Sequence, residues 1–200
     1  MKIVITGTAS GIGHELVKKL SHHNVIALTR RDLDLSNINS VINYNMETCD
    51  MLINCAATDV GGKINFVNHD ANYIAEILNT NLLSPMLLSQ QALAKNCSCK
   101  IVNITSTNNN RYHANNLAYS LSKQALANFG AMLKVDYPDI QYLEIKLGLT
   151  KTNFNKNRYR YDQDRFVDVY EHHHLTVDQA TSKILDVLFD PLINMIEISP

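Results

Sequence analysis

The residues Thr6-Gly7-Thr8-Ala9-Ser10-Gly11-Ile12-Gly13 form a glycine-rich segment between an apolar run, residues 2–6, and an amphipathic stretch, residues 11–22. This order predicts a turn that joins a first β-strand to a first α-helix. Glycine permits a tight turn, close approach of the backbone to a phosphate, and close packing of helix on strand. The N-terminus of the helix then offers unpaired N–H groups to a pyrophosphate. The segment predicts a dinucleotide site, although glycine also suits a simple strand-to-helix connection.

Apolar runs of strand length alternate with amphipathic stretches of helix length along the rest of the chain. The predicted strands are residues 2–6, 25–29, 51–54, 100–105, 141–147 and 195–198. The predicted helices are residues 11–22, 37–44, 70–79, 85–95, 117–135 and 177–189. Such alternation, with strands of nearly continuous Ile, Val and Leu, indicates a parallel sheet buried on both faces. We predict an α/β fold, a Rossmann-like doubly wound parallel sheet with helices on both faces, as a single domain over residues 1–200.

The composition restricts the classes of partner. The chain has 200 residues and a net charge of −1, so no basic field is available for nucleic acid or an anionic membrane. No apolar run approaches the roughly 20 residues of a membrane helix, and the N-terminal residues do not resemble a signal peptide. Four cysteines are too few to suggest a disulfide scaffold. We expect a cytoplasmic protein with no nucleic-acid or membrane partner.

Several segments beyond the glycine turn carry a common resemblance. The glycine turn resembles the TGxxxGxG turn of the short-chain dehydrogenase/reductase family, and Asp50-Met51-Leu52-Ile53-Asn54-Cys55-Ala56-Ala57 resembles that family's D-x-L-x-N-N-A-G segment. Residues 101–106 are similar to its strand ending in a serine, and Tyr119-Ser120-Leu121-Ser122-Lys123 resembles its YxxSK motif. Gly148 and Thr152 match its P-G-x-x-x-T segment. The matches keep the family's order and spacing over residues 2–152.

The resemblance implies hydride transfer between a nicotinamide and a carbonyl or alcohol carbon of a small substrate. It assigns four catalytic residues, Asn81, Ser106, Tyr119 and Lys123. Tyr119 would exchange a proton with the substrate oxygen and Ser106 would hold that oxygen. Lys123 would bind the nicotinamide ribose, and Asn81 would anchor a water of the proton relay.

Chemistry favours Tyr119 and Lys123 over the chain's second Y-x-x-x-K, Tyr142 to Lys146. Tyr119 and Lys123 lie on a predicted helix, one turn apart on the same face. The second pair lies in a predicted strand, where four residues separate side chains by roughly 13 Å. An ordinary tyrosine has a pKa of about 10, and bringing it near neutrality requires roughly 4 kcal/mol of preferential stabilisation of the phenolate. We expect Lys123 and a positively charged nicotinamide ring to supply it.

Cofactor choice is predicted from Thr29-Arg30-Arg31, which follow the second strand. An acid there usually bonds the ribose 2′-hydroxyl of NAD, whereas an arginine accommodates the 2′-phosphate of NADP. No acid lies between the second strand and Asp32, so NADP(H) is expected over NAD(H), unless both arginines are merely solvated. The expected cofactor-binding residues are Gly7, Thr8, Ser10, Gly11, Ile12, Gly13, Arg30, Arg31, Asp34, Leu35, Asn54, Ala56, Ala57, Tyr119, Lys123, Gly148, Thr150 and Thr152.

The substrate has no motif of its own. Residues 153–175 form a long polar stretch, which predicts a substrate-binding loop. Basic residues flank the expected substrate pocket, namely Arg111, His113, Arg158 and Arg160. They suggest a polar or anionic substrate, and solvated surface charge explains them equally well. Consecutive His172-His173-His174 side chains diverge, so no metal site is expected.

Two departures from the family pattern leave alternatives open. Cys55, Ala57 and Leu147 replace its usual Asn, Gly and Pro, and residues 25–58 are compact, as in some sugar-nucleotide reductases. A sugar-nucleotide reductase or epimerase is therefore an alternative, as is a cofactor-sensing protein without turnover.

Relatives in the family pair through two helices that match residues 85–95 and 117–135. These predicted helices also carry apolar residues on more than one face, namely Leu87, Leu88, Leu93, Leu126, Phe129 and Leu133. We therefore expect a homodimer or homotetramer.

Overall fold

The computed structural model describes residues 1–107, 114–161 and 174–200 and contains a six-stranded parallel sheet. Its strands are β1 (Lys2–Thr6), β2 (Asn24–Leu28), β3 (Met51–Asn54), β4 (Lys100–Ile104), β5 (Tyr142–Leu147) and β6 (Met195–Ile198). They lie in the order β2-β1-β3-β4-β5-β6. The chain turns to the opposite side of β1 when it enters β3. Such a change of direction opens a crevice at the carboxyl ends of the strands, where doubly wound folds bind ligands.

The helices cover both faces of the sheet. They are α1 (Gly11–Lys19), α2 (Ile38–Ile42), α3 (Ala71–Leu78), α4 (Ser84–Lys95), α5 (Leu117–Asp136), α6 (Phe154–Arg158) and α7 (Val177–Leu188). On β1, Ile3 and Ile5 belong to the core cluster that holds residues of α1 and α7. Val4, between them, belongs to the cluster that holds residues of α2, α4 and α5. Successive side chains thus enter two cores, which confirms the predicted doubly wound sheet.

The segment between β2 and β3 is short, as its sequence predicts. Within it α2 spans only five residues, Ile38–Ile42, and Asn37 caps its N-terminus by accepting a hydrogen bond from the Ser40 amide. Val41 of α2 is fully buried against the sheet. This compact connection brings residues 30–36 directly beside the carboxyl end of β1.

The structure differs from the prediction between α3 and α4. A π-helical turn, Asn79–Leu83, joins them, whereas the sequence predicted an interruption there. Pro85, in the first turn of α4, has no N–H to donate to the carbonyl four residues earlier, that of Asn81. A π-turn accommodates such a missing donor, and these turns are frequent at functional sites.

The stretch predicted to be an irregular loop, residues 153–175, begins instead with helix α6. Residues 162–173 of that stretch, including His172 and His173, lie outside the described residues, as do Arg111 and His113. Leu175 returns to the sheet edge through a bridge to Thr150. Within the described part of the chain, no helix is long and apolar enough to cross a membrane.

Candidate active site

A cleft of about 860 Å³ lies over the carboxyl ends of β1, β3, β4 and β5. It gathers most of the residues that the sequence singled out. The predicted residues that line it are Gly7, Ser10, Gly11, Ile12, Gly13, Arg30, Asp34, Leu35, Ala56, Ala57, Ser106, Tyr119, Lys123, Gly148, Thr150 and Thr152. Four predicted residues are absent from its lining, namely Thr8, Arg31, Asn54 and Asn81.

The glycine turn is shaped by close backbone contacts. Gly7 and Gly11 have φ angles of +74° and +61°, which favour glycine. A Cβ on Gly13 would lie 2.5 Å from the carbonyl oxygen of Gly7, so α1 begins directly against the turn. The side chain of Ser10 does not cap α1, and the first turn of α1 has no acidic residue. The first amides of α1 are thus suited to hold a pyrophosphate, and the turn fits a dinucleotide.

The two arginines after β2 occupy different environments. Arg30 lines the cleft, with its Nε 3.3 Å from Asp34 Oδ1 and its Nη1 3.6 Å from Glu76 Oε1. Arg31 is exposed and lies outside the cleft. Asp32, the first acid after the arginines, accepts hydrogen bonds from the amide and hydroxyl of Thr29, at 2.9 and 2.6 Å. Asp32 is therefore engaged within its own turn, and of the two arginines Arg30 is the one that lines the cleft.

Asn54 and Asn81 have their amides engaged within the protein. Asn54 donates to Asn103 Oδ1 at 2.9 Å, below the cleft. Asn81, fully buried in the π-turn, accepts from the Thr58 amide and donates to the Thr58 carbonyl, both at 2.8 Å. It also donates to Ser122 Oγ at 3.1 Å. In this geometry Asn81 fixes the segment after β3 against α5.

Tyr119 stands at the base of the cleft, on the first turn of α5. It is 8% exposed, and its phenol hydrogen-bonds the side chain of Ser106, which follows β4. Burial raises the pKa of Tyr119 to about 12, partly offset by the positive charge of Arg158 and by the bond with Ser106. At neutral pH the phenol of this protein therefore keeps its proton.

Lys123 lies one turn after Tyr119 and is 2% exposed. Its ammonium donates to the carbonyl oxygen of Ile104, at the end of β4, at 2.8 Å. Burial lowers the pKa of Lys123 to about 8. The positive charge of Arg158 lowers the pKa of Tyr119, and Lys123 lies one helical turn from Tyr119 on the same helix.

Asp59, which no sequence motif singles out, is 3% exposed and lines the same cleft. Its Oδ2 lies 2.6 Å from Nε of Arg158, on α6. Burial raises the pKa of Asp59 to about 6, and the neighbouring Arg158 limits the rise. A Cβ on Gly62 (φ +67°) would lie 2.8 Å from the ring of Tyr159, which follows α6. The lack of a side chain at Gly62 therefore lets this ring pack against the segment that carries Asp59. Only the pair Gly61-Gly62 marks a turn here in the sequence.

Other groups considered from the sequence have no place in the cleft. Tyr142 is buried in β5, where its hydroxyl accepts from Asn103 Nδ2 at 3.3 Å. Among the described residues no cluster of His, Cys, Asp or Glu could hold a metal ion. Cys49 and Cys99 are free and buried, with their sulfur atoms 3.6 Å apart.

Comparison with known proteins agrees with this geometry. The family model described as short chain dehydrogenase matches residues 34–163, more than half of the chain. The chain therefore belongs to the short-chain dehydrogenase family, and it is an oxidoreductase acting on CH–OH or C=O groups.

One curated relative and two solved structures are similar to this chain over nearly its whole length. A curated relative is the NADP-dependent 3-hydroxy acid dehydrogenase of Schizosaccharomyces pombe, 25% identical over 225 aligned positions that cover 93% of this chain and 86% of the relative. Similar solved structures include a serine dehydrogenase complexed with NADP+, with a TM-score of 0.83, 19% identity, and coverage of 100% of this chain and 95% of that one. A 4-hydroxyisoleucine dehydrogenase complexed with NADH has a TM-score of 0.82, 20% identity, and coverage of 100% and 97%. These structures share the fold.

Proposed function

We propose that the protein is an NADP(H)-dependent oxidoreductase that transfers a hydride between nicotinamide and the carbonyl or alcohol group of a small polar substrate. One observation carries the proposal. Tyr119 lies in the same cleft as the glycine turn. It is hydrogen-bonded to Ser106 and lies one helical turn from Lys123. A proton donor and a dinucleotide site thus share one cavity, as hydride transfer to a carbonyl requires.

Each polar group of the site has a separate task. The cofactor, when bound, supplies or accepts the hydride. Ser106 donates a hydrogen bond to the substrate oxygen, and Tyr119 gives that oxygen its proton during reduction. The raised pKa of Tyr119 suits a donor that stays protonated until charge develops on the oxygen. In the oxidative direction the phenolate needs positive charge nearby; Arg158 supplies it, and Lys123 lies one helical turn away on α5.

Turnover itself distinguishes this proposal from cofactor sensing. Consumption of NADPH would be followed by its absorbance against a panel of aldehydes, ketones and oxo acids, and NADPH binding would be measured in parallel by fluorescence. We expect at least one small polar carbonyl compound to be reduced. Tight binding without turnover across the panel would contradict the proposal and favour a sensing role.

The preference for NADP(H) is supported by Arg30, whose guanidinium faces the cleft while Asp32 is engaged with Thr29. The NADP dependence of the curated relative agrees with it. We expect Arg30→Ala to reduce the ratio of NADPH to NADH affinity by about 10-fold or more, the size of a lost charge-assisted hydrogen bond. Arg31→Ala, the matched control, should change the ratio less than about threefold because Arg31 is exposed outside the cleft. Fluorescence titration of both cofactors measures the ratio; equal effects of the two substitutions would contradict the assignment.

Self-association remains a proposal from the family resemblance. The apolar residues that the sequence placed on α4 and α5 are mostly covered: Leu88, Leu126 and Leu133 are buried, and Leu87, Leu93 and Phe129 are partly buried. Other apolar residues of α5 are exposed at helical spacing, namely Leu117, Leu121, Met132 and Val135. A stripe of this kind is typical of a helix that pairs with another subunit.

We expect a dimer or tetramer by light scattering at micromolar concentration. Charged substitutions in the exposed stripe, Leu121→Glu with Met132→Glu, should convert it to a monomer because carboxylates would be buried without partners. Leu192→Glu, at a residue 85% exposed and distant in sequence from α5, is the control and should leave the mass unchanged. A monomeric mass for the unmodified protein would contradict the proposal.

A further inference from the structure

Arg158 occupies an unusual position for an arginine. It lies at the end of α6, is only 8% exposed, and lines the cleft. Its guanidinium carbon lies 5.7 Å from the centroid of the Tyr119 ring and 5.3 Å from that of Phe154. An arginine is rarely buried without a partner or a ligand, so its neighbours indicate its use.

Asp59 makes its 2.6 Å contact with the Nε edge of this guanidinium. The contact is between Asp59 Oδ2 and Arg158 Nε, with side-chain exposures of 2% and 9%. Within residues 1–107, 114–161 and 174–200, neither of the two terminal nitrogens donates a hydrogen bond. Because a guanidinium has five N–H donors in a planar fork, its terminal edge remains available for a second acceptor.

We propose that the terminal nitrogens of Arg158 bind a carboxylate of the substrate, which makes short-chain hydroxy acids and their oxo acids the substrate class. This inference rests on the proposed function, since it takes the reacting oxygen to lie at Tyr119 and Ser106. The short distance between Arg158 and Tyr119 limits the acid to few carbon atoms between its carboxylate and its reacting carbon. The reaction itself remains hydride and proton transfer, and the carboxylate is not altered.

Asp59 has a definite part in this arrangement. It compensates the charge of Arg158 when no substrate is bound and keeps Nε turned away from the substrate. Through Thr58, the preceding residue, its segment is fixed by the two 2.8 Å hydrogen bonds of Asn81. The guanidinium is thus held in place before the substrate arrives, which lowers the ordering cost of binding.

Other cations of the cleft are less suited to this task. Arg160 donates to Glu76 Oε1 at 2.9 Å, and Arg30 is paired with Asp34 and Glu76. Lys63 lines the cleft but is exposed, so water screens its charge. Lys63 therefore serves as the matched control for loss of one positive charge near the site.

The experiment compares acids with their neutral esters at constant reacting carbon. The probes are 2-oxobutanoate and 3-oxobutanoate with their methyl esters, each assayed for kcat/KM with NADPH. We expect the unmodified protein to prefer at least one acid over its ester by about 10-fold or more. Arg158→Met should lower kcat/KM for that acid by about 30-fold or more, as for loss of one partner of a buried ion pair. The ester should lose at least about 10-fold less than the acid, because it lacks the carboxylate and shares only the effect of Arg158 on Tyr119. Both substrates should change less than about threefold in Lys63→Met.

A second variant separates substrate binding from folding. Arg158→Met leaves Asp59 buried without its partner, which destabilises a protein. The double variant Arg158→Met with Asp59→Asn removes both charges and should show the same selective loss of acid turnover while NADPH affinity is retained. A preference for the ester, or an equal loss for acid and ester, overturns the inference. If neutral carbonyl compounds are reduced and no acid is, the inference fails and the proposed function stands; if no member of the panel is reduced, both fail.

Discussion

Tyr119→Phe is expected to lower turnover by about 10²–10⁴-fold, the contribution typical of a positioned acid–base group. The substitution removes only the hydroxyl from a ring that is 8% exposed and packed against Phe154, with ring centroids 5.6 Å apart. The shape of the cleft should therefore be nearly unchanged, and NADPH affinity should stay within about threefold because the glycine turn and Arg30 hold the phosphates. Initial rates with a good substrate and fluorescence titration of NADPH measure the two effects separately.

Tyr142→Phe is the matched control for this experiment. Tyr142 is also a buried tyrosine followed by a lysine four residues later, but it lies in β5 and bonds Asn103. Losing that hydrogen bond should cost roughly 1 kcal/mol of folding free energy, with the rate nearly unchanged. If Tyr119→Phe retained most of the activity, or if Tyr142→Phe were equally impaired, the proton donor would have to be sought elsewhere.

The strands could be predicted closely from sequence for a physical reason. In a parallel sheet buried on both faces, each strand is a nearly continuous apolar run, and such runs end where the backbone reaches the surface. The predicted β1, β3 and β6 coincide with the observed strands, and the other three differ at one end by a single residue or are displaced by one. Helix α6 had no such signal, because its five residues carry no apolar period and its contacts are tertiary.

The candidate site, like the fold, has one part that sequence spacing predicts and one part that depends on tertiary packing. Tyr119 and Lys123 are related by one helical turn, so their sequence spacing determines their separation. Asp59 and Arg158 meet at 2.6 Å from segments about 100 residues apart, and neither belongs to a motif. Their pairing depends on how α6 packs over the segment after β3, which local sequence does not encode. The part of the cleft that we propose to bind the substrate is therefore the part that sequence motifs do not predict.

Gly130 is another residue whose role only the fold reveals. It lies inside α5, where glycine is less favourable than alanine by roughly 1 kcal/mol. A Cβ at this position would overlap Cζ and Oη of Tyr142, on the neighbouring strand β5. The glycine thus allows the helix that carries Tyr119 and Lys123 to pack closely on the sheet.

Gly130→Ala is therefore expected to destabilise the protein, although alanine favours helix. Overpacking of a core costs about 1–3 kcal/mol, and the overlap with a rigid ring should place this site at the upper end. For a protein of this size each kcal/mol lowers Tm by roughly 2–4 °C. Asp186→Ala, at an exposed position of α7 and away from the exposed stripe of α5, is the control and should leave Tm unchanged or slightly raised.

A double-mutant cycle with Tyr142→Ala tests the cause of the expected loss. With the Tyr142 ring removed, the added Cβ at residue 130 no longer meets Cζ and Oη, so Gly130→Ala should become neutral or stabilising. Urea unfolding of the four proteins gives the coupling free energy, which we expect to exceed about 1 kcal/mol. Additive effects, or a Gly130→Ala protein as stable as the unmodified one, would show that α5 can move away from β5 without cost. Tyr119 and Lys123 also lie on α5. A shift of α5 away from β5, caused by the added Cβ, should therefore lower turnover in the Gly130→Ala protein even where that protein remains folded.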